Sequence, residues 1–226
     1  MKTKHKALLL TLCAVLLVTA SVLGTLAYLT DTEAVTNTFA VGRVGLSLDE
    51  AKVDQMGNQE GTTRWTPTAD DPKQEYYLLP GHSYTKDPTV TVDAGSEESF
   101  VRMIVTVTFA EALSDETLAT NLDSIFTGYD SDKWPRHDKD ISADGKTITY
   151  EYRYYTTVDG KDAEGNDAAA KLEALFAQIV VPGEYDNAQM AVLNGMSINV
   201  EAHAIQAAGF DGNADAAWTA FDGQHK

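Results

Sequence analysis

Apolar and polar residues alternate along most of this chain, and the alternation predicts strands. The clearest run is 100–109. There Val101, Met103, Val105, Val107 and Phe109 share one face, and Arg102, Ile104, Thr106 and Thr108 share the other. Its density of β-branched residues suits a buried pleated surface. Arg102 reads as a surface or sheet-edge charge. Residues 146–155 repeat the pattern, with Ile148, Tyr150, Tyr152 and Tyr154 on one face. The last run, 196–206, sets Met196, Ile198, Val200, Ala202 and Ala204 against Ser197, Asn199, Glu201, His203 and Ile205. Shorter runs predict strands at 44–48, 76–79 and 89–92.

Between the strands the pattern breaks at turn residues. Residues 49–71 carry Gly57, Asn58 and Gly61 and read as a long loop or a weak hairpin, with Trp65 as a packed anchor. Pro80-Gly81 ends 76–79, and Asp144-Gly145 is a hairpin signal before 146–155. Residues 126–144 read as an acidic loop. Helical spacing is rarer. Ser114, followed by Asp115 and Glu116, predicts an N-cap and a short helix to about Leu122. Leu172, Leu175, Phe176 and Ile179 predict a helix over 168–178 with a core-facing stripe. Asp186 or Asn187 opens another short helix that stops at Asn194-Gly195. The tail 207–226 is expected to hold one helical turn around 216–221.

The first 27 residues differ in kind. Lys2, Lys4 and Lys6 precede an apolar stretch from Leu8 to Leu23, which ends in Gly24-Thr25-Leu26-Ala27. That order is a secretory signal peptide, with Thr25 and Ala27 at the −3 and −1 positions of a cut before Tyr28. The rival reading is a retained anchor, since 8–27 is long enough to span a bilayer. Scattered hydroxyls and the small-residue exit favour cleavage. The remaining chain, 28–226, is expected to form a single domain. Its first segment, 28–41, offers Val35, Asn37, Phe39 and Val41 on one face of an N-terminal strand.

The run GTLAYLTDTEAVTNTFAVGRVGLSL resembles the signal-plus-first-strand region of the TasA and camelysin family through Gly24, Thr25, Ala27, Asp31, Phe39, Gly42, Val44, Leu46 and Leu48. Leu79-Pro80-Gly81 with Lys86-Asp87, and the closing run 200–206, are similar to later parts of that family. The resemblance does not extend over 123–167. It implies a protein secreted by a Gram-positive bacterium, processed by a SipW-type signal peptidase, and acting as a subunit of extracellular matrix (biofilm) fibres.

Charge and cysteine usage narrow the options. The formal net charge is −17, and removing the three leader lysines from 17 Lys+Arg leaves 14 against 34 acids, or −20. Such a surface repels nucleic acid and anionic membrane, so membrane contact is expected only through the uncleaved leader. The one cysteine, Cys13, lies in the leader, so the mature chain has no disulfide and no cysteine nucleophile. Its histidines, His82, His137, His203 and His225, are scattered, with no H-E-x-x-H, G-x-S-x-G or phosphate-binding glycine motif. Glu201 and His203 share a strand face and read as an exposed polar pair. No catalytic residue and no cofactor is expected.

One motif competes with the hairpin. Asp140, Ser142, Asp144 and Glu151 match the ligand spacing of an EF-hand calcium loop. Trp134-Pro135 upstream and a tyrosine-rich strand downstream are not the helices such a loop needs, so the turn is the favoured reading and Ca²⁺ the minor one.

The expected fold is mainly β: an antiparallel β-sandwich, jelly-roll-like, with a few short helices in its connections. The expected function is a secreted structural protein that assembles head to tail with copies of itself by strand addition. The alternatives are a monomeric secreted binding or coat protein of the same fold, and a camelysin-like metallopeptidase.

Overall fold

The computed structural model describes residues 43–71, 73–113 and 122–224. The expected leader, its cut at Thr25, Ala27 and Tyr28, and the strand bearing Val35, Asn37, Phe39 and Val41 all lie outside the described residues. So does the helix expected from Ser114; its end at Leu122 falls in a single 3-10 turn, Leu122–Ile125.

The fold is an antiparallel β-sandwich. Strands β1 (Leu46–Val53), β2 (Gln59–Trp65), β4 (Thr89–Val92) and β9 (Ala170–Lys171) form one sheet in the order β2-β1-β4-β9. Strands β5 (Ser99–Thr108), β7 (Arg136–Ile141), β8 (Thr147–Arg153) and β11 (Ser197–Gln206) form the other, in the order β11-β5-β8-β7. A small third sheet joins β3 (Ser83–Thr85), β10 (Gln178–Val180) and β6 (Phe126–Thr127). Two α-helices complete the described chain, α1 (Asn187–Leu193) and α2 (Ala214–Gln224). No described helix is long and apolar enough to cross a membrane.

The alternation in 100–109 does what its period demands. Val101, Met103, Val105 and Val107 all point into the core. Register places Met103 opposite Tyr152, Val105 opposite Tyr150 and Val107 opposite Ile148. On the other side, Ala202, Val200 and Ile198 of β11 lie opposite Met103, Val105 and Val107. Val90 and Val92 of β4 close the core from the facing sheet, and Tyr84 and Ile179 from the small one.

Several expectations are corrected. Residues 168–178 are not helical. Leu172, Leu175 and Phe176 are buried as expected, but their segment is irregular chain between β9 and β10. Its N–H groups bond away from the segment: Leu172 N to Val90 O, Leu175 N to Pro88 O and Ala177 N to Thr127 O. No i−4 carbonyl is used, so apolar spacing alone misreads the backbone. Residues 76–79 are extended but lack a ladder; instead the buried Tyr84 hydroxyl accepts from Leu79 N and donates to Tyr77 O, each at 2.7 Å. The supposed loop 126–144 contains β7, whereas for 49–71 the hairpin alternative holds, as β1–β2. The tail folds into the full helix α2 rather than one turn.

Arg102 is the largest reversal. It sits on an inner strand, is 5 % exposed, and lies beneath α2. Its guanidinium stacks 4.4 Å from the Trp218 ring and pairs with Asp222. A cation over an aromatic face, desolvated on both sides, is a docking point for a helix.

Candidate assembly groove

The two large sheets do not close on each other everywhere. Among the described residues, Leu46–Asp49 of β1 pair with β4 on one side only, because β2 reaches no further than Glu50. β11 is likewise bonded to β5 alone among the described residues. Two strand edges therefore present N–H and C=O groups without a ladder partner among the described residues.

Between them runs a groove of about 930 Å³. Its walls are apolar at Leu48, Leu78, Met190, Met196, Ile198 and Val200. Helix α1 and the turn that follows it place two of these. Asp186 caps it with a reciprocal capping box to Gln189, and Gly195, at φ +75°, turns the chain from the helix into β11. Met190 and Met196 thus sit on either side of one short turn. The third wall is the extended segment 73–78, held by Gln74 against β1.

The floor is polar. Leu46, Leu48 and Glu50 share a face of β1 by alternation, so Glu50 is the third inward position. Its carboxylate is buried and chelates the buried Lys86 ammonium at 2.7 and 2.8 Å. Burial, reinforced by the charges of Glu50 and Asp87, pushes the neighbouring Tyr76 phenol well above its ordinary value. Beside the floor, Arg64 joins β2 to β1 and β4. It bonds Asp49 and Asp87 together, and Asp87 also accepts Ala51 N.

The residues of the minor calcium reading do not converge, and the favoured hairpin turn is what forms. Ser142 Oγ donates to Asp144 at 2.7 Å inside a hairpin turn closed by Ser142 N to Thr147 O. That hydroxyl and the Lys146 N–H hold the Asp144 carboxyl below its ordinary value. Glu151 is taken up on β8 by Arg153 at 2.7 Å and Arg102 at 3.6 Å. Asp140 pairs with Thr149 in the ladder. Among the described residues, no three His, Cys, Asp or Glu side chains are grouped to hold a metal ion. Glu201 and His203 approach within 3.7 Å, and His203 also accepts from Arg102 Nε at 3.2 Å.

The groove itself was missed at the sequence level. The one local signal was Glu50 continuing the inward series of Leu46 and Leu48, since a charge at such a position is either paired or exposed. The residues of α1 and 73–78 carry no signal of meeting across the sandwich.

Compared with known proteins, the chain matches no family model, no curated protein and no solved structure.

Proposed function

We propose that this protein is a secreted structural subunit of extracellular matrix fibres and that it grows them by strand addition. The observation that carries the reading is the apolar groove flanked by two edges, β1 at Leu46–Asp49 and β11, that lack a ladder partner among the described residues. An edge beside an apolar slot is a template for a strand from outside.

The chain supplies a segment of the right chemistry. Residues 35–41 alternate, with Val35, Phe39 and Val41 as apolar teeth and Asn37 between them. Seven residues of strand extend roughly 23 Å. Donation to a neighbour is heterologous, so it repeats without closing and yields a filament. In this reading a SipW-type peptidase cuts before Tyr28, and leader removal switches assembly on by freeing the donor from the membrane. The likeness of 24–48 to the TasA and camelysin family supports export from a Gram-positive cell and the same use of the product.

The test compares two forms, 28–226 and 42–226. The longer one is expected to form filaments by electron microscopy, while the shorter stays monomeric in sedimentation. Added 28–41 peptide should bind the shorter form and cap it. If the longer form remains a monomer across pH and salt, the protein is a secreted binding module instead.

A further inference from the structure

One group of side chains on the groove floor has a chemistry that strand addition does not use. Glu50, Lys86 and Gln74 meet at one carboxylate. Lys86 Nζ lies 2.7 Å from Oε1 and 2.8 Å from Oε2 of Glu50, and Gln74 Nε2 lies 3.5 Å from the same Oε2. Glu50 and Lys86 are 5 % and 7 % exposed. The Gln74 carboxamide is fixed in orientation. Its Oε1 accepts Val53 N–H at 2.8 Å, and its Nε2 donates to Ala51 O at 3.0 Å.

We propose that these three residues form an intramolecular amide bond between Lys86 and Gln74, with Glu50 as the proton relay. Each group already has its role. A nucleophilic amine needs a base in contact with it, and Glu50 is in contact. The carbonyl under attack needs a donor at its oxygen, and Val53 N–H is there. The leaving nitrogen needs a proton source, and it faces the same carboxylate.

The step balances without any oxidant or reductant. Lys86 gives one ammonium proton to Glu50, and the free amine attacks Gln74 Cδ. The Nζ–Cδ bond forms, and the charge on Oε1 rests against Val53 N–H. A second Nζ proton passes through Glu50 to Nε2, the Cδ–Nε2 bond breaks, and ammonia leaves. It carries the first proton with it as ammonium, and Glu50 returns to carboxylate. The groove beside the site gives the ammonia a way out.

The product is a covalent staple in a fold whose described residues contain no cysteine. It closes the 74–86 stretch and fastens the segment 73–78, one wall of the groove, to the chain entering β4. An ion pair by itself gives no such fastening and is weak evidence of stability.

Mass spectrometry decides the matter. The folded protein, with its N-terminus sequenced, is expected to weigh less than its sequence by one ammonia. Chymotrypsin leaves Gln74 internal in 66–76 and Lys86 in 85–100, which excludes cyclisation of a terminal glutamine as the source of the loss. The two peptides should then travel as one branched species. Finding them separate, each at its unmodified mass, leaves an ion pair only and overturns the proposal. Glu50→Gln, folded by circular dichroism, is expected to show both peptides separate. A folded Glu50→Gln chain that is still branched would overturn the relay. The outcome is independent of the filament reading, because a monomer carries the bond equally well.

Discussion

Asp123 shows how a single side chain can hold one corner of the sandwich. It accepts from Tyr150 Oη at 2.7 Å, Lys139 Nζ at 2.8 Å and Arg136 Nη1 at 2.9 Å. Burial pushes its carboxyl up, but the hydrogen bonds from Lys139, Tyr150 and Arg136 outweigh burial and hold it below its ordinary value. A carboxyl with a lowered folded pKa stabilises the fold above its unfolded pKa, about 3.9. That contribution is lost as pH falls through the folded value. Asp123→Asn is therefore expected to lower stability by about 1–3 kcal/mol at pH 7. Urea titrations at pH 7 and pH 3 should show the gap between the two proteins shrinking at the lower pH; a constant gap would mean the ionised carboxylate is not what stabilises. None of this network was visible in the sequence, because 126–144 read as loop and β7 brings Arg136 and Lys139 to Asp123 only through pairing with β8. Arg102 was hidden for a related reason. Alternation set it correctly on the face opposite the core, but α2, more than a hundred residues later, covers that face.

At the level of elements, legibility followed apolar alternation, so the polar strand β7 was missed and the polar β2 was read only as part of a loop or weak hairpin. β5, β8 and β11 are seven to ten residues long, and each was read from its alternation. The Asp144-Gly145 turn was legible too, because Gly145 takes φ +67°, which a hairpin turn asks of glycine. Strands of two or three residues, such as β6, β9 and β10, are too short to show a period, so Leu172, Leu175 and Phe176 passed for a helix. Just before β9 the chain crosses the 93–96 loop, and Gly160 is the crossing point. It donates to Ser96 O and accepts from Gly95 N and Ala168 N. A Cβ there would stand 2.1 Å from Asp93 O and 2.6 Å from Ser96 N, both backbone atoms. Gly160→Ala is expected to cost roughly 3 kcal/mol or more, as overpacking against a fixed backbone does. Gly165→Ala is the control. It has φ +84° and nothing within 4 Å, so it should cost only about 1 kcal/mol of left-handed strain. Equal losses in thermal unfolding would show that the 93–96 loop can move aside.

For the whole molecule the dominant quantity is charge. If subunits add as proposed, each addition would bring together chains of formal charge −17, or −20 without the leader lysines. Like charges repel over the screening length, about 30 Å at 0.01 M salt and about 8 Å at 0.15 M. Strand addition, by contrast, buries apolar teeth and closes backbone hydrogen bonds, and salt touches those contacts little. The two terms separate in an assembly time course. The 28–226 form should elongate faster on going from 0.01 M to 0.15 M salt, on the order of tenfold, because electrostatic effects on association rates are of that size or more. Filament repeat and stability to dilution should stay the same, since the seated contacts are apolar. Light scattering with seeded filaments measures the rate without nucleation. Elongation that slows with salt would mean that opposite charges draw the subunits together. The donor would then have to be sought among the lysine- and arginine-bearing loops rather than in 28–41, whose only charged side chains are Asp31 and Glu33.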